Sequence, residues 1–318
     1  MNLHDKIFVA GHRGLVGSAI VKHLTGLGYN NLQILDRNEL DLSDSRQVEK
    51  FFQDHLPDYV FDAAAKVGGI HSNNTHSAEF IYQNTQIQNN LIHNSWKYGV
   101  KKFLFLGSVC IYPKFAPVPV LESSLLTGEL EPTNEAYAIA KIHGIKMCEA
   151  YHKQYGFRSV CIMPSNLYGE NDNFHTENGH VIPAMMQKFH NDPHGTVTLW
   201  GDGSPHREFL HCDDMASACV FLMQHADTGS AELVNAGSGE NVSILELSQM
   251  LVKITGFTGN IVWDTSRPNG TPNRPLDSGK ILSMGWQPRI RLPQGLQHTY
   301  HTFVSRQQTH GTQSMIRK

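Results

Sequence analysis

Long apolar runs are missing from the 318 residues. None approaches the roughly 20 that a membrane-spanning helix needs. Cysteine is scarce: five residues, at 110, 148, 161, 212 and 219, form no Cys-x-x-Cys pair and no secreted-type disulfide framework. That usage leads us to expect a reducing, cytoplasmic compartment. Charge of one sign is missing too. The 26 Lys and Arg nearly balance the 29 Asp and Glu, leaving −3 with both signs scattered. Neither a nucleic-acid nor a membrane surface is indicated. The 19 histidines fall singly, with no His-Glu-x-x-His and no Cys/His cluster at ligand spacing. His190 and His194 are four apart, but Pro193 opposes a shared helix face. No metal is expected. There is no internal repeat, and Met1–Asp5 is expected to lead straight into a strand. The length is enough for a sizeable core and about two domains.

What is present begins at Lys6. The apolar run Ile7–Ala10 turns into Gly11-His12-Arg13-Gly14-Leu15-Val16-Gly17, an amphipathic segment follows from Ser18 to Leu27, and Leu32–Leu35 runs to Asp36. Strand, glycine-rich turn, helix, strand is the order of a dinucleotide site. One glycine permits the sharp bend, one admits a pyrophosphate close to the backbone, and one lets helix pack on strand. The helix start then offers free N–H groups and the positive end of its dipole. The Gly-x-x-Gly-x-x-Gly spacing resembles the extended form of the short-chain dehydrogenase/reductase superfamily.

The alternation continues. A helix is expected over about 44–54, a strand over 58–62 ending in Ala63, Ala64 and Ala65, a helix over 78–98, and a strand over 102–107 ending at Ser108. Small residues at a strand's carboxyl end let a cofactor lie close. Strands alternating with helices predict an α/β fold with a doubly wound parallel sheet, its ligands outside the carboxyl ends. Tyr137 and Lys141 lie one helical turn apart on one face. A tyrosine titrates near 10, and a neighbouring ammonium is expected to lower that value. Ser108, Tyr137 and Lys141 together form the arrangement of short-chain reductases, with Ser108 holding the oxygen that Tyr137 protonates.

A strand at 159–163 leads to Pro164–Gly169, a loop on the cofactor side in this superfamily. Polar loops follow, then a helix carrying His180–Pro183, with Asp213 and Asp214 expected to cap another. Glu232–Gly237 reads as a strand returning to the sheet, and Ser243–Glu246 as a capping box opening a helix to about Thr255. The tail from Ser305 is polar and expected to fray. We assign 1–167 and 211–240 to a dinucleotide-binding Rossmann domain, and 168–210 with 241–318 to a smaller α/β substrate lobe.

Several longer stretches are similar to the GDP-L-fucose synthase family: residues 11–20, 63–70 and 108–113, Glu131–Asn134 leading into Tyr137, and Asn173–His175 with His180–Pro183. The resemblance covers nearly the whole chain. It implies a homodimer that uses NADPH for the 3,5-epimerisation and 4-reduction of GDP-4-keto-6-deoxy-D-mannose. Cys110 and His180 match the family's acid–base pair. Thiol and imidazole titrate near 8.5 and 6.5, so both are expected to exchange protons around neutrality. Tyr137 would protonate the C4 oxygen. Gly11, Arg13, Gly14, Leu15, Val16, Gly17, Arg37, Asp41, Leu42, Ala64, Leu106, Lys141, Pro164, Asn166, Leu167 and His180 fall on the cofactor. Ser108, Lys188, Trp200, Arg207, Asn269 and Arg274 line the GDP-sugar, with Arg207 on the pyrophosphate.

Two departures stand out. Lys188 and Asn269 replace the family's usual arginine and aspartate, and lysine lacks arginine's planar fork. A reductase of a related GDP-4-keto-6-deoxy sugar, such as a heptose, is therefore an alternative, without epimerisation. Asp36, at the end of the second strand, favours NAD because such an acid holds ribose hydroxyls and repels a 2′-phosphate. Arg13 and Arg37 match the family's phosphate-binding arginines and argue for NADPH, which we expect. Three rivals fit less well. A dehydratase would carry an Asp-Glu pair where Val109 and Cys110 stand. A 4-epimerase would retain bound NAD, and a non-enzymatic sensor would have lost the Tyr–Lys pair.

Overall fold

A computed structural model describes residues 1–176, 179–225, 232–267 and 273–316. Apolar runs of four to six residues become strands buried on both faces, as a parallel sheet between two helix layers requires. β1 (Ile7–Ala10) is wholly buried, and α1 (Leu15–Gly26) follows the glycine turn. β2 (Leu32–Gln33), α2 (Ser45–His55), β3 (Tyr59–Asp62), α3 (Ile70–Thr75), α4 (Ser77–Lys97) and β4 (Lys102–Leu106) continue the alternation. Then come α5 (Glu135–Tyr155), β5 (Ser159–Pro164), β6 (Asn166–Tyr168), α6 (Val181–Asn191), β7 (Thr196–Trp200) and β8 (His206–His211). The chain closes with α7 (Cys212–His225), β9 (Glu232–Ala236), β10 (Asn241–Ser243), α8 (Ile244–Thr255), β11 (Asn260–Asp264), α9 (Gly279–Ser283) and α10 (Leu292–Ile316).

The main sheet runs β2-β1-β3-β4-β5-β9 with every neighbouring pair parallel. β1 turns to β2 on one side and β3 lies on its other, so the strand order reverses beside β1. A crevice opens at the carboxyl ends there, where ligands of doubly wound sheets bind. Side chains alternate between two cores. Val9, Phe61 and Leu104 pack with α1 and α7, while Phe8, Val60, Phe103 and Phe105 pack with α2, α4 and α5. A third core, around Tyr168, Met186, Phe189, Phe209, Leu247 and Leu296, lies under two small sheets, β10-β8-β6 and β11-β7.

Local chemistry explains the ends. The Ser243 hydroxyl accepts from the Glu246 N–H at 3.1 Å while the Glu246 carboxylate accepts from the Ser243 N–H at 2.8 Å, the expected capping box. Other expectations need correction. β2 spans two residues instead of four: it pairs only with β1 at the sheet edge, and Ile34 already faces solvent. Asp213 and Asp214 sit inside the first turn of α7 instead of capping it. The Asp214 carboxylate accepts from the Arg289 and Ile290 N–H groups, and Asp213 pairs with Lys22 at 2.8 Å. The tail past Ser305 is helical through Ile316, as the continuation of α10. No described helix is long and apolar enough to cross a membrane.

Candidate active site

The glycine turn is tight enough to exclude side chains. Gly11 has φ of 78°, and a Cβ there would meet the Ala63 carbonyl at 2.8 Å. A Cβ on Gly17 would lie 2.1 Å from the Gly11 carbonyl. Gly14 is the N-cap of α1 and offers no side chain to its N–H groups. The first-turn N–H groups of Leu15, Val16 and Gly17 thus point out of the helix at the positive end of its dipole, which suits a dinucleotide pyrophosphate. Ala64 follows β3 and Leu106 closes β4, both at the carboxyl edge.

Asp36 does not stand alone. Its carboxylate pairs with the Arg13 guanidinium and lies 3.3 Å from His12 Nε2. Arg37 lies 4.0 Å from Asp41, and both arginines are largely exposed. The Arg13 guanidinium thus answers the Asp36 charge that would otherwise oppose a 2′-phosphate. The Asp41 carboxyl is held below its usual range by hydrogen bonds from Ser43, and Asn90 donates to the Leu42 carbonyl at 2.9 Å. Pro164 ends β5, and Asn166 and Leu167 lie on β6. Asn166 Nδ2 donates to the Glu208 carbonyl at 2.9 Å.

Ser108, at the end of β4, caps a 3-10 turn of Val109–Ile111 and is hydrogen-bonded to the Tyr137 side chain. Lys141 is 2% exposed, donates to the Leu106 carbonyl at 2.7 Å, and places Nζ 5.9 Å from the Tyr137 ring centre. The pair therefore meets Ser108 as the spacing implied. The expected depression of the Tyr137 pKa is not found. Burial pushes the phenol well above its usual range, outweighing the bond from Ser108. Burial likewise pushes Lys141 down, and nearby Asp62 opposes that fall. Tyr137 is thus held as a protonated phenol, the form able to donate.

Cys110 is buried, two residues past Ser108, and burial pushes its thiol up to about 11. The expectation of a thiol poised near neutrality is corrected accordingly: Cys110 stays protonated. Arg274 lies over this turn, donating to the Tyr112 and Pro113 carbonyls at 3.2 and 2.7 Å, and its charge together with that of Lys141 favours the thiolate. His180 is the N-cap residue of α6, with an imidazole 45% exposed and Nδ1 3.4 Å from Asp172. The Asp172 carboxylate raises the His180 pKa above its ordinary value.

Lys188 Nζ donates to the Thr198 carbonyl at 2.9 Å, and the Arg267 guanidinium lies 5.0 Å over the Trp200 ring. Arg207, on β8, is pushed below its usual pKa by burial and, to a lesser degree, by nearby Arg274. Asn269 lies outside the described residues.

Three residues went unnoticed in the sequence. Asp172 adjoins the Asn173–His175 motif. Glu208, 2% exposed, accepts from the Gly239 and Leu276 N–H groups at 2.8 and 3.0 Å and so anchors the segment carrying Arg274. Asp62 ends β3 with no exposure, and an acid closing an apolar strand was its one signal. Elsewhere, Glu170, Asp213 and His298 bring ligand-type atoms within 4.8 Å of one another, but Lys22 already pairs with both carboxylates.

A cofactor cradle at the strand-order reversal, with a buried Tyr–Lys pair beside it, defines a nicotinamide-dependent enzyme of the short-chain dehydrogenase/reductase class. The chain belongs to the NAD dependent epimerase/dehydratase family, whose family model matches residues 7–237. It is 57% identical over 302 residues to a putative GDP-L-fucose synthase 2 of Arabidopsis thaliana, covering 94% of this chain and 92% of that one. It is 49% identical over 315 residues to the GDP-L-fucose synthase of Escherichia coli (strain K12), covering 95% and 98%. Among solved structures it is similar to a GDP-mannoheptose C4 reductase from Campylobacter jejuni with NADP bound. That likeness has a TM-score of 0.87 at 38% identity, covering 96% and 99%.

Proposed function

We propose that the chain converts GDP-4-keto-6-deoxy-D-mannose to GDP-L-fucose by 3,5-epimerisation and NADPH-dependent 4-reduction. The observation that carries this reading is Cys110 two residues beyond Ser108, one site holding both an exchange group and a reducing group. The C4 ketone acidifies the hydrogens at C3 and C5. Cys110 and His180 act as the acid–base pair, one removing a proton and the other returning one to the opposite face. Bound NADPH supplies hydride to C4. Ser108 orients the C4 oxygen, Tyr137 gives it a proton, and the Lys141 ammonium stabilises the phenolate that remains. Arg207 and Arg274 hold the pyrophosphate, with Lys188, Trp200 and Asn269 toward the rest of the GDP-sugar. The turn residues 11–17, with Arg13 and Arg37 at the 2′-phosphate, hold the cofactor.

Residues 1–167 and 211–240 serve as the NADP-binding domain, and 168–210 with 241–318 as the substrate lobe. The protein acts as a homodimer in the cytoplasm. α4 and α5 pack on each other and leave Tyr82 and Ile139 exposed for a second copy. Identity to the fucose synthases exceeds that to the heptose C4 reductase, which favours the epimerising reading over simple reduction.

The test incubates substrate and NADPH in deuterated water with Tyr137→Phe and with Cys110→Ser. Tyr137→Phe loses NADPH oxidation and keeps deuterium exchange at C3 and C5. Cys110→Ser keeps reduction and slows exchange at one carbon by roughly 10²–10⁴, releasing incompletely epimerised product. Normal product from Cys110→Ser would remove Cys110 from the mechanism and leave the heptose-type reductase as the better reading.

A further inference from the structure

We infer that Asp62 is a positioning residue for the reduction, its buried carboxylate holding the Lys141 side chain as a charged ammonium beside Tyr137. The inference rests on the reading of Tyr137 and Lys141 as the reducing pair.

The sheet register brings the two groups together. Asp62 stands opposite Ala10 on β1 and opposite Phe105 on β4. Ala10 and Phe105 both face the core under α5, so Asp62 points to that side as well. Lys141 descends from α5 onto the same place, with Nζ 4.8 Å from the Phe105 ring centre and bonded to the Leu106 carbonyl next along β4. Asp62 is 0% exposed and Lys141 2%. No direct hydrogen bond joins them: Asp62 Oδ1 accepts from the Ala64 N–H at 3.2 Å and Oδ2 has no partner.

An acid at this depth costs stability unless an opposite charge answers it. Its strand neighbours Val60 and Phe61 show that the position otherwise calls for an apolar side chain. The groups facing Lys141 are Asp62 on β3, Cys110 in the 3-10 turn, Cys161 on β5 and Tyr137 on its own helix. Burial holds Cys110 and the phenol protonated, and a hydrogen bond with Cys148 together with burial does the same for Cys161, so Asp62 alone among these carries charge at neutral pH. Attraction in a low-dielectric interior acts beyond contact distance. It raises the Lys141 pKa against the desolvation that lowers it. A smaller opposing effect of the same carboxylate falls on Tyr137.

The test is single-turnover NADPH oxidation by the full chain with GDP-4-keto-6-deoxy-D-mannose, followed across the pH range for the unmutated protein, Asp62→Asn and Asp62→Glu. Removing the charge lets Lys141 lose its proton earlier. In Asp62→Asn the alkaline limb therefore moves to lower pH, and on that limb the rate falls by on the order of tenfold. KM and the exchange at C3 and C5 stay unchanged, and Asp62→Glu restores the limb. An unmoved limb in folded Asp62→Asn overturns the inference. Lys141→Met separates the two readings. If it still reduces at the normal rate, the reducing-pair assignment falls and this inference with it. If it is dead while the Asp62→Asn profile is unmoved, only this inference falls. Should Asp62→Asn not fold, carbon-13 lysine labelling of the unmutated protein decides. Lys141 is expected to report a step as Asp62, pushed up to about 6 by burial, titrates, and a featureless Lys141 curve overturns the proposal.

Discussion

His180 shows how little of a residue's chemistry its type decides. A histidine at a helix N-cap faces the positive dipole end, which opposes protonation. Here the hydrogen bond to the Asp172 carboxylate, itself 4% exposed, raises the imidazole pKa and outweighs the burial that lowers it. The folded-state value lies above the unfolded one, so the pairing adds stability below the ordinary histidine pKa, and that contribution fades as pH rises through the raised value. Asp172→Asn keeps the shape and removes the charge. C3/C5 exchange measured by NMR should then slow by about tenfold near neutrality, with its histidine-dependent limb displaced to lower pH. An unmoved limb would mean that Asp172 plays no part in setting His180. Cys110 makes the converse point: burial keeps a thiol protonated near which two cations already sit.

Among the elements, the β1–α1 turn has the least freedom. Gly17→Ala places a methyl 2.1 Å from the Gly11 carbonyl, so helix and turn must part. Calorimetry should show a loss of about 1–3 kcal/mol, and fluorescence titration a failure to bind NADPH. Gly26, in the last turn of the same helix, has nothing within 4 Å of an added Cβ, so Gly26→Ala should leave binding intact and add about 0.4–1 kcal/mol. The meeting of that turn with the loop after β2 sets cofactor choice. Arg13→Ala removes a phosphate contact and frees Asp36 at once. NADPH affinity should fall by roughly 10- to 150-fold, with NADH affected far less. Equal losses for the two cofactors would show that Arg13 does not read the 2′-phosphate.

Across the whole molecule, remote segments complete the site. Glu208 on β8 ties down the chain at Leu276, and Arg274 just before it reaches the Tyr112 and Pro113 carbonyls beside Cys110. The α4–α5 face remains, with Tyr82 65% and Ile139 43% exposed. If that face seats a second copy, a Tyr82→Glu, Ile139→Glu double variant should weaken dimerisation by at least about 100-fold in sedimentation velocity. A monomeric unmutated protein would remove the dimer from the proposal.

Local spacing determined the βαβ cradle, the order of strands and helices, the Tyr137–Lys141 pair and the capping box at Ser243. The cradle, the Tyr137–Lys141 spacing and the capping box follow from backbone rules that act within a few residues, while the addition of Ser108 came from the short-chain reductase resemblance. Two misjudged pieces were those where a partner element rules, a two-residue β2 at the sheet edge and Asp214 turned to the backbone at Arg289, while the tail was carried on by its own helix. Protonation lay further out of reach. Whether Asp36 repels a phosphate or pairs with Arg13 depends on how the turn meets the loop after β2, while whether Tyr137 and Cys110 hold their protons and what answers Lys141 depend on desolvation. Desolvation is a sum over neighbours that only the folded chain assembles, here from β3, β4 and α5, which lie some 30 to 80 residues apart in sequence.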